Sequence, residues 1–187
     1  MNTDWSQLSP LQLGQFGEYY AKMEFASYGY DVYTSEVDDH GVDFVAKDPN
    51  TGIFFEVQVK SLYKSNYSYI SKKKLVLDER HLVCVLQFLQ GQLPTVYVIP
   101  ATAWNHPNAV LTDYEYTDLK SKPEWGIRLS EKNLPLIQSG KIFPEMSEKY
   151  GSKLRRSSRS TRKFPSCGNQ AVCLSAAGKK IHTHDHK

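Results

Sequence analysis

The pattern of apolar and polar residues predicts a β-hairpin in the first third of the chain. Two short apolar runs, residues 42–46 and 53–60, have the length and composition of strands. The segment between them contains Pro49, Asn50 and Gly52, which favour a tight turn. Strands joined by so short a connection pair antiparallel. We therefore expect the two runs to lie side by side in one sheet.

The second strand of this hairpin has one apolar face and one polar face, because side chains alternate with a period of two. The apolar face comprises Phe55, Val57 and Val59, and the polar face comprises Glu56, Gln58 and Lys60. Burying unpaired charges costs several kcal/mol, which a bound metal ion would offset. A half-exposed hairpin with a solvated polar face shows the same alternation. Asp43 interrupts the neighbouring strand in the same way, and both interpretations stay open at this point.

An N-terminal helix is predicted by its start and stop signals. Ser9 is a suitable N-cap, Pro10 suits the first helical position, and Gly29 suits the position after the C-terminus. Five apolar residues follow helical spacing and are expected to form its buried face: Leu13, Phe16, Tyr20, Met23 and Ala26.

Two glycines lie inside this helix, although each costs about 1 kcal/mol relative to alanine there. Gly14 and Gly17 would let a strand or a ligand approach the helix closely. Glu18 follows directly, and a solvent-facing side chain is the default expectation for it.

The remaining apolar runs predict further strands. Residues 30–36 precede the hairpin, and residues 81–88 and 95–99 have the composition of buried strands that complete the sheet. Cys84 lies inside one of them and is expected to be a core residue, not a reactive thiol. The pattern is weaker over residues 105–149, which we expect to form a peripheral cap or a short helix.

The order of these elements resembles the PD-(D/E)xK nuclease superfamily, in particular its Holliday-junction-resolvase-like and Mrr-like branches. In that family a glutamate on the first helix, an aspartate on the second strand and a (D/E)xK motif on the third strand form one site. Glu18, Asp43, Gln58 and Lys60 stand at these positions, and the resemblance covers roughly residues 10–62. It implies a restriction-endonuclease-like α/β fold, with a central mixed β-sheet flanked by helices.

The resemblance also implies metal-dependent cleavage of phosphodiester bonds with Mg²⁺ or Mn²⁺. Asp43 would be the main carboxylate ligand, with the Gln58 amide oxygen and the Val59 backbone carbonyl completing the protein ligands. Glu18 would bind a second metal ion or orient water. Lys60 would stabilise or help to deprotonate the attacking water.

Gln58 departs from the usual acid of the motif. Its amide oxygen can ligate a hard cation but brings no charge, and Glu56 on the same face is a candidate accessory source of that charge. The leading interpretation is a Mg²⁺-dependent deoxyribonuclease, because a dead site has no chemical need for Glu18, Asp43 and Lys60 together. The alternative is a catalytically inactive relative that binds nucleic acid or a protein partner. A purely structural module would make the polar row accidental.

A basic segment with interleaved tyrosines follows Lys60. Cations near phosphates and aromatic rings that stack on bases are typical of nucleic-acid contact. A solvated strand whose tyrosines pack on its edge is the alternative. The predicted nucleic-acid-binding residues are Tyr63, Lys64, Tyr67, Lys72, Lys73 and Lys74.

Composition places the chain among globular proteins. The 187 residues are 40% hydrophobic and 23% charged, enough for one domain with its own core. Three cysteines make a disulfide framework unfavourable. No run of eighteen apolar residues and no signal-peptide pattern occur, so we expect a cytoplasmic protein with no membrane partner.

Charge divides the chain into two parts. Residues 151–187 carry nine Lys and Arg and one acid, whereas residues 1–150 carry 14 Lys and Arg and 19 acids. We therefore predict a nuclease-like domain over residues 1–150 and a basic, disordered tail over residues 151–187. DNA is the expected partner, with RNA left open, and a homodimer would suit cleavage of both strands. An acidic domain binds DNA poorly in general, so a local basic strip, a metal ion or the tail would have to contribute.

Overall fold

The computed structural model describes residues 1–34, 41–116 and 121–134, and the backbone of residues 172–174. Within these ranges the chain has one α-helix, α1 (Pro10–Ser27), and three 3-10 helices at Trp5–Gln7, Lys72–Lys74 and Ala101–Asn105. The described strands are β1 (Asp31–Tyr33), β2 (Phe44–Lys47), β3 (Phe54–Tyr63), β4 (Tyr67–Ser71), β5 (His81–Phe88), β6 (Thr95–Pro100), β7 (Leu111–Tyr114), β8 (Glu124–Arg128) and β9 (Val172–Leu174).

A six-stranded mixed sheet forms the centre of the molecule. Its strand order is β1-β2-β3-β5-β6-β9. Strands β3 and β5 are parallel, and every other pair of neighbouring strands in this sheet is antiparallel. A second sheet of three antiparallel strands has the order β4-β8-β7. The predicted α/β class with a central mixed sheet is confirmed. One face of that sheet carries α1, and the other carries the three-stranded sheet.

Helix α1 begins and ends at the predicted signals. The Ser9 side chain accepts a hydrogen bond from the Gln12 backbone, and the Gln12 side chain bonds back to Ser9, which forms a capping box. Gly29 follows the helix with φ +87°, a conformation that favours glycine. The predicted apolar face is wrong at Met23, which is half exposed, and at Ala26, which is exposed. At 3.6 residues per turn, the buried face of the second half of the helix contains Ala21 and Phe25 instead. The buried residues are Leu13, Gly17, Tyr20, Ala21 and Phe25.

The first core lies between α1 and the central sheet. Gly17 packs against Ser61 of β3, so closely that a Cβ on Gly17 would lie 2.0 Å from the Ser61 Oγ atom. At the other end of the helix, the rings of Phe25 and Phe44 meet edge to face with centroids 5.2 Å apart. The helix therefore runs antiparallel to β3, with its N-terminal half over the C-terminal half of that strand.

The second core lies between the opposite face of the central sheet and the three-stranded sheet. Val83 and Val85 of β5 contribute to it from one side, and Leu111 and Ile127 of the smaller sheet contribute from the other. The predicted cap or short helix is therefore wrong for β7 and β8. These strands are short and include polar positions and a glycine, so no apolar run marks them. Residues 135–149 of that prediction lie outside the described ranges.

The central hairpin has the predicted turn and shifted boundaries. The Gly52 N–H donates to the Asp48 carbonyl over 2.8 Å, and Gly52 has φ +71°. Strand β2 begins at Phe44, so the prediction that Asp43 lies within the strand is wrong: Asp43 precedes it. Strand β3 continues beyond Lys60 to Tyr63.

The remaining expectations about the chain as a whole have different outcomes. Cys84 is fully buried, and burial together with the carboxylates of Glu24 and Asp43 raises the pKa of its thiol, which confirms a core role. Strand β9, inside the predicted tail, pairs with the β6 edge. The rest of residues 151–187 lies outside the described ranges, and disorder there stays a prediction. Among the described helices, none is long and apolar enough to cross a membrane.

Candidate active site

The polar row of β3 faces the second core and lies at its rim. Gln58 pairs with Val83 of β5 and Lys60 with Val85, and both valines belong to that core. Leu62, two residues further along the same face, is buried in it. Gln58 and Lys60 therefore lie on the face opposite α1, where the polar row changes into packed apolar side chains.

The Asp43 carboxylate is fixed at the point where β2 begins. The Asp43 N–H donates to the Val57 carbonyl over 2.9 Å, and Asp43 Oδ2 accepts the Val59 N–H over 2.5 Å. Alternate residues of β3 direct their backbone groups towards β2, which does not extend as far as Val59. The Asp43 side chain therefore replaces a missing strand partner. A carboxylate has about four lone-pair sites, so a carboxylate that accepts an N–H bond can also ligate a cation.

Gln58 is a buried polar side chain with an unsatisfied oxygen. The residue is 7% exposed, and its Oε1 atom has no hydrogen-bond partner within the described ranges. Such a buried acceptor costs about 1–3 kcal/mol relative to one that is paired. Phe44 is paired with Val57 in the antiparallel register of β2 and β3. The next position along this register places Gln58 opposite Asp43. An oxygen in this position is suited to a cation, because a cation accepts its lone pairs.

Gly41 leaves room for the side chains of Gln58 and Lys74. It is buried with φ +82°, and a Cβ there would lie 3.1 Å from Gln58 Nε2. The same Cβ would lie 3.2 Å from Lys74 Cβ and 3.3 Å from Lys74 Cδ. The Lys74 side chain thus reaches the site from the 3-10 helix that follows β4.

The donor set of the site fits a hard divalent cation. The Asp43 carboxylate, the unpaired Gln58 amide oxygen and the Val59 carbonyl are all oxygen donors, which Mg²⁺ prefers. The Val59 carbonyl points to the same side of β3 as the N–H that Asp43 accepts. No group of three His, Cys, Asp or Glu residues that could hold a metal occurs in the described part of the chain. Any such site therefore depends on the amide and the backbone oxygen, and on the waters that Mg²⁺ retains.

Glu18 approaches β3 from its opposite face. It follows Gly17, which contacts Ser61, the residue after Lys60. Its carboxylate accepts a hydrogen bond from Gln15 Nε2 over 3.2 Å. Helix α1 lies on the opposite face of the central sheet from Gln58 and Lys60, and participation of Glu18 in the site stays a prediction.

Glu56 pairs with a histidine on the neighbouring strand. His81 lies opposite it in the parallel pair, and the Glu56 Oε2 to His81 Nε2 distance is 3.0 Å. The other ring nitrogen, His81 Nδ1, lies 2.7 Å from Asp78 Oδ1. Burial acts to raise the pKa of Asp78, but hydrogen bonds from the His81 ring and from the backbone N–H groups of Arg80 and His81 lower it overall. The pairing directs Glu56 towards β5 and away from the Asp43 side of the strand.

Lys72 is held by internal contacts. Its ammonium bonds to the carboxylates of Asp113 and Glu115 and lies 4.1 Å from the centre of the Trp125 ring. Two carboxylates therefore neutralise the charge that the sequence assigned to nucleic acid. Lys72 ties the 3-10 helix to β7 in this arrangement.

Tyr67 also has an internal role. Its hydroxyl donates to Glu124 Oε1 over 2.6 Å, and the Arg128 guanidinium lies 5.5 Å from the centre of its ring. Burial, with the adjacent Glu124 carboxylate, raises the pKa of the Tyr67 hydroxyl. The sequence left two roles open for Tyr67, stacking on bases and packing on the edge of a strand. These contacts favour packing.

The other members of the basic segment are more accessible. The Tyr63 hydroxyl donates to Gln90 Oε1 over 3.0 Å, and the Lys64 ammonium lies 5.0 Å from the centre of the Tyr63 ring. Lys73 and Lys74 are both exposed. Of these two, Lys74 is the one that contacts Gly41 at the site.

Neither a protein-family model nor a curated protein sequence matches the chain. Among solved structures, a bacterial homing endonuclease matches with 17% sequence identity and a TM-score of 0.43, over 81% of this chain and 100% of that one. A Holliday junction resolvase from the archaeal hyperthermophile Archaeoglobus fulgidus matches with 17% identity and a TM-score of 0.40, over 63% of this chain and 91% of that one.

Proposed function

We propose that the chain is a metal-dependent endonuclease that hydrolyses phosphodiester bonds in DNA. The observation that carries this proposal is the buried, unpaired Gln58 Oε1 in register with the Asp43 carboxylate on a polar stretch of β3. A buried polar atom without a partner is uncommon. Of the four such side-chain atoms in the described ranges, Gln58 Oε1 is the one in register with Asp43. A cation-binding role accounts for both the burial and the missing partner.

Each residue of the site has a chemical role in this proposal. Asp43, Gln58 and the Val59 carbonyl would hold Mg²⁺ or Mn²⁺, which when bound neutralises charge that develops on the phosphate. The Val59 N–H fixes the Asp43 carboxylate, so that carboxylate needs no reorganisation during the reaction. Lys60, on the same face, would stabilise the attacking water and assist its deprotonation. Glu18 would orient that water, or hold a second ion, from the helix side.

DNA is the proposed substrate class, with RNA as the alternative nucleic acid. The exposed cations Lys73 and Lys74 lie on the segment that leaves the site, where a phosphate backbone would run. A homodimer is the proposed arrangement for cutting both strands. The cytoplasm, where nucleic acid is accessible, is the proposed location.

The competing function is a catalytically inactive module that binds nucleic acid or a protein. The neutral Gln58 in place of an acid favours it, as do the internal contacts of Lys72 and Tyr67. It shares the fold and the exposed lysines with the nuclease and differs only in chemistry. Cleavage, not binding, therefore distinguishes the two functions.

The test is a cleavage assay with the full chain on supercoiled plasmid, linear duplex, single-stranded DNA, a four-way junction and RNA. Each substrate is incubated with Mg²⁺, Mn²⁺ or EDTA. Asp43→Asn and Lys60→Met are measured in parallel, because both retain the approximate shape of the side chain. Asp31→Asn is the matched control, since Asp31 is exposed on the edge strand β1.

The proposal predicts cutting of at least one DNA substrate with Mg²⁺ or Mn²⁺, none with EDTA, and loss of at least about 100-fold in rate for Asp43→Asn and Lys60→Met. Asp31→Asn should cut as the parent chain does. No cleavage by the parent chain, together with measurable binding to DNA, would support the inactive module. Equal cutting by Asp43→Asn and the parent would exclude this site.

A further inference from the structure

The three consecutive lysines of the 3-10 helix have different surroundings. Lys72 bonds to Asp113 and Glu115 on the smaller sheet, and Lys73 is exposed to solvent. Lys74 alone among the three packs on Gly41, beside the Gln58 amide. The sequence presents them as one basic patch, whereas the structure separates them into three environments.

The Lys74 stem is positioned while its charge remains accessible. Its Cβ and Cδ atoms flank the position that a Gly41 Cβ would occupy, at 3.2 and 3.3 Å. The ammonium is two bonds beyond Cδ, so it is confined to the neighbourhood of Gly41 and Gln58. Lys74 is exposed, and it makes no ion pair with any residue in the described ranges. A positioned, exposed cation is suited to an anionic ligand.

We propose that Lys74 binds the phosphate whose ester bond is cleaved, as a second cation in addition to Lys60. This inference rests on the proposed function and assigns the substrate-contacting cation within it. Lys60 comes from β3 of the central sheet, and Lys74 comes from the segment that leads out of the smaller sheet. A phosphodiester at the Asp43 and Gln58 oxygens would therefore be approached by cations from two different elements.

The charge of the site supports a phosphate ligand over other anions. Gln58 supplies no charge, so Asp43 is the single acid of the described donor set. A divalent cation bound there leaves a net positive site, which Lys60 and Lys74 make more positive. A phosphodiester offers two non-bridging oxygens in a geometry that two separated ammonium groups can contact at once. Since charge on these oxygens changes during the reaction, loss of Lys74 should reduce turnover more than binding.

The experiment compares Lys74→Met with Lys73→Met in the full chain. Methionine keeps an apolar stem on Gly41 and removes only the ammonium, so the packing is retained. Lys73→Met removes an equal charge one residue away, which controls for general attraction of DNA. Lys74→Arg restores a cation. Single-turnover cleavage rates of a labelled DNA duplex with Mg²⁺ are measured at saturating protein, and DNA affinity is measured in EDTA across a salt series.

Lys74→Met should lower the saturated cleavage rate on the order of 100-fold, with at least partial recovery in Lys74→Arg. Lys73→Met, which removes a general contact to the phosphate backbone, should weaken DNA affinity in EDTA and lower the saturated rate far less. Equal saturated rates for Lys74→Met and Lys73→Met would overturn the inference and leave the proposed function intact. Loss of affinity in EDTA without loss of the saturated rate would also overturn it, because Lys74 would then be a general backbone contact. No cleavage by the parent chain would refute the proposed function, and this inference with it.

Discussion

Gln58 is the residue whose structure and chemistry conflict most clearly. Its neighbours on β5 are valines of the second core, yet its buried amide oxygen has no donor among the described residues. Natural proteins keep such groups where function requires them, at a cost in stability. This cost provides a test that does not depend on knowing the substrate.

Gln58→Met should therefore keep or raise the free energy of unfolding in EDTA, by up to about 2 kcal/mol, and abolish cleavage. Methionine has a similar length and no polar oxygen, so it removes the unsatisfied acceptor without opening a cavity. Urea denaturation in EDTA, with the cleavage assay alongside, measures both effects. A loss of more than about 1 kcal/mol would show that the amide supports the fold instead.

Gly41 gives a second test at the level of one residue. Gly41→Ala should destabilise the fold by about 1–2 kcal/mol more than Gly52→Ala, because both glycines have positive φ but only Gly41 is crowded by Gln58 and Lys74. A Cβ at Gly52 meets no atom within 4 Å. Thermal and urea unfolding of the two variants separate backbone strain from contact. Equal losses of stability in Gly41→Ala and Gly52→Ala would show that crowding by Gln58 and Lys74 does not matter.

The sequence could predict the candidate ligands but not their neighbours. Asp43, Gln58 and Lys60 were predicted from the resemblance to a nuclease superfamily together with the alternation of side chains along the strand. The partner of Glu56 could not be predicted in the same way, because His81 reaches it through a parallel register that no local pattern encodes. The contact of Lys74 with Gly41 could not be predicted either, because it depends on how the smaller sheet packs on the central sheet.

At the level of elements, Gly17 allows α1 to pack closely against β3. Gly17 meets Ser61 directly, whereas a Cβ on Gly14 would meet no atom within 4 Å. The two helical glycines that look equivalent in sequence therefore have opposite consequences. One is required for packing, and the other only weakens the helix.

Gly14→Ala should raise the free energy of unfolding by about 0.5–1 kcal/mol, and Gly17→Ala should lower it by about 1–3 kcal/mol. The gain comes from helix propensity, and the loss comes from a Cβ 2.0 Å from Ser61 Oγ. Adding Ser61→Ala to Gly17→Ala should recover part of the loss, since Ser61 Cβ lies 3.4 Å away. Urea denaturation measures all three variants. Stabilisation by Gly17→Ala alone would contradict the packing.

Lys72 joins the 3-10 helix to β7, and its effect should depend on pH. Burial acts to lower the pKa of Lys72, but the hydrogen bonds and charges of Asp113 and Glu115 raise it overall. A raised pKa in the folded state stabilises the protein below the unfolded value of 10.5, and this contribution is lost as the pH rises through the folded value.

Lys72→Met should therefore lower the free energy of unfolding by about 1 kcal/mol at pH 7–9, with a smaller difference above pH 10.5. Denaturation across this pH range measures the change, and Lys73→Met is the control because Lys73 is exposed. Cleavage per folded molecule should not change in Lys72→Met. A selective loss of cleavage would assign Lys72 to the substrate instead.

The elements of the first half were predictable because each has a local signal. The capping residues define α1, the turn defines the hairpin, and β5 has the predicted bounds His81–Phe88. The smaller sheet was not predictable, since β4 pairs with a strand more than fifty residues away and each of its strands has only four or five residues. Long-range pairing of short strands leaves little trace in the sequence.

For the whole molecule, charge and strand pairing give different boundaries between the domain and the tail. The charge change at residue 151 indicates a tail separate from an acidic domain, whereas β9 returns from that tail to extend the central sheet at β6. Removal of residues 151–187 would therefore remove a sheet strand as well as positive charge. Experiments on function should use the full chain for this reason.

The central claim is that a divalent cation binds between Asp43 and Gln58, and metal-induced stabilisation tests it most directly. The melting temperature of the full chain is measured in EDTA and in increasing Mn²⁺ and Mg²⁺, for the parent, Asp43→Asn and Asp31→Asn. Asparagine keeps an oxygen that can accept the Val59 N–H, so Asp43→Asn removes charge without removing the strand contact. Asp31→Asn removes an exposed carboxylate far from Gln58 in the hairpin register.

If a cation binds there, the parent and Asp31→Asn should gain stability from the metal, approaching about 2.7 kcal/mol at a concentration of one hundred times the dissociation constant. Asp43→Asn should gain almost none at the same concentrations. Equal stabilisation of Asp43→Asn and the parent, or no stabilisation of the parent by either ion, would contradict the account.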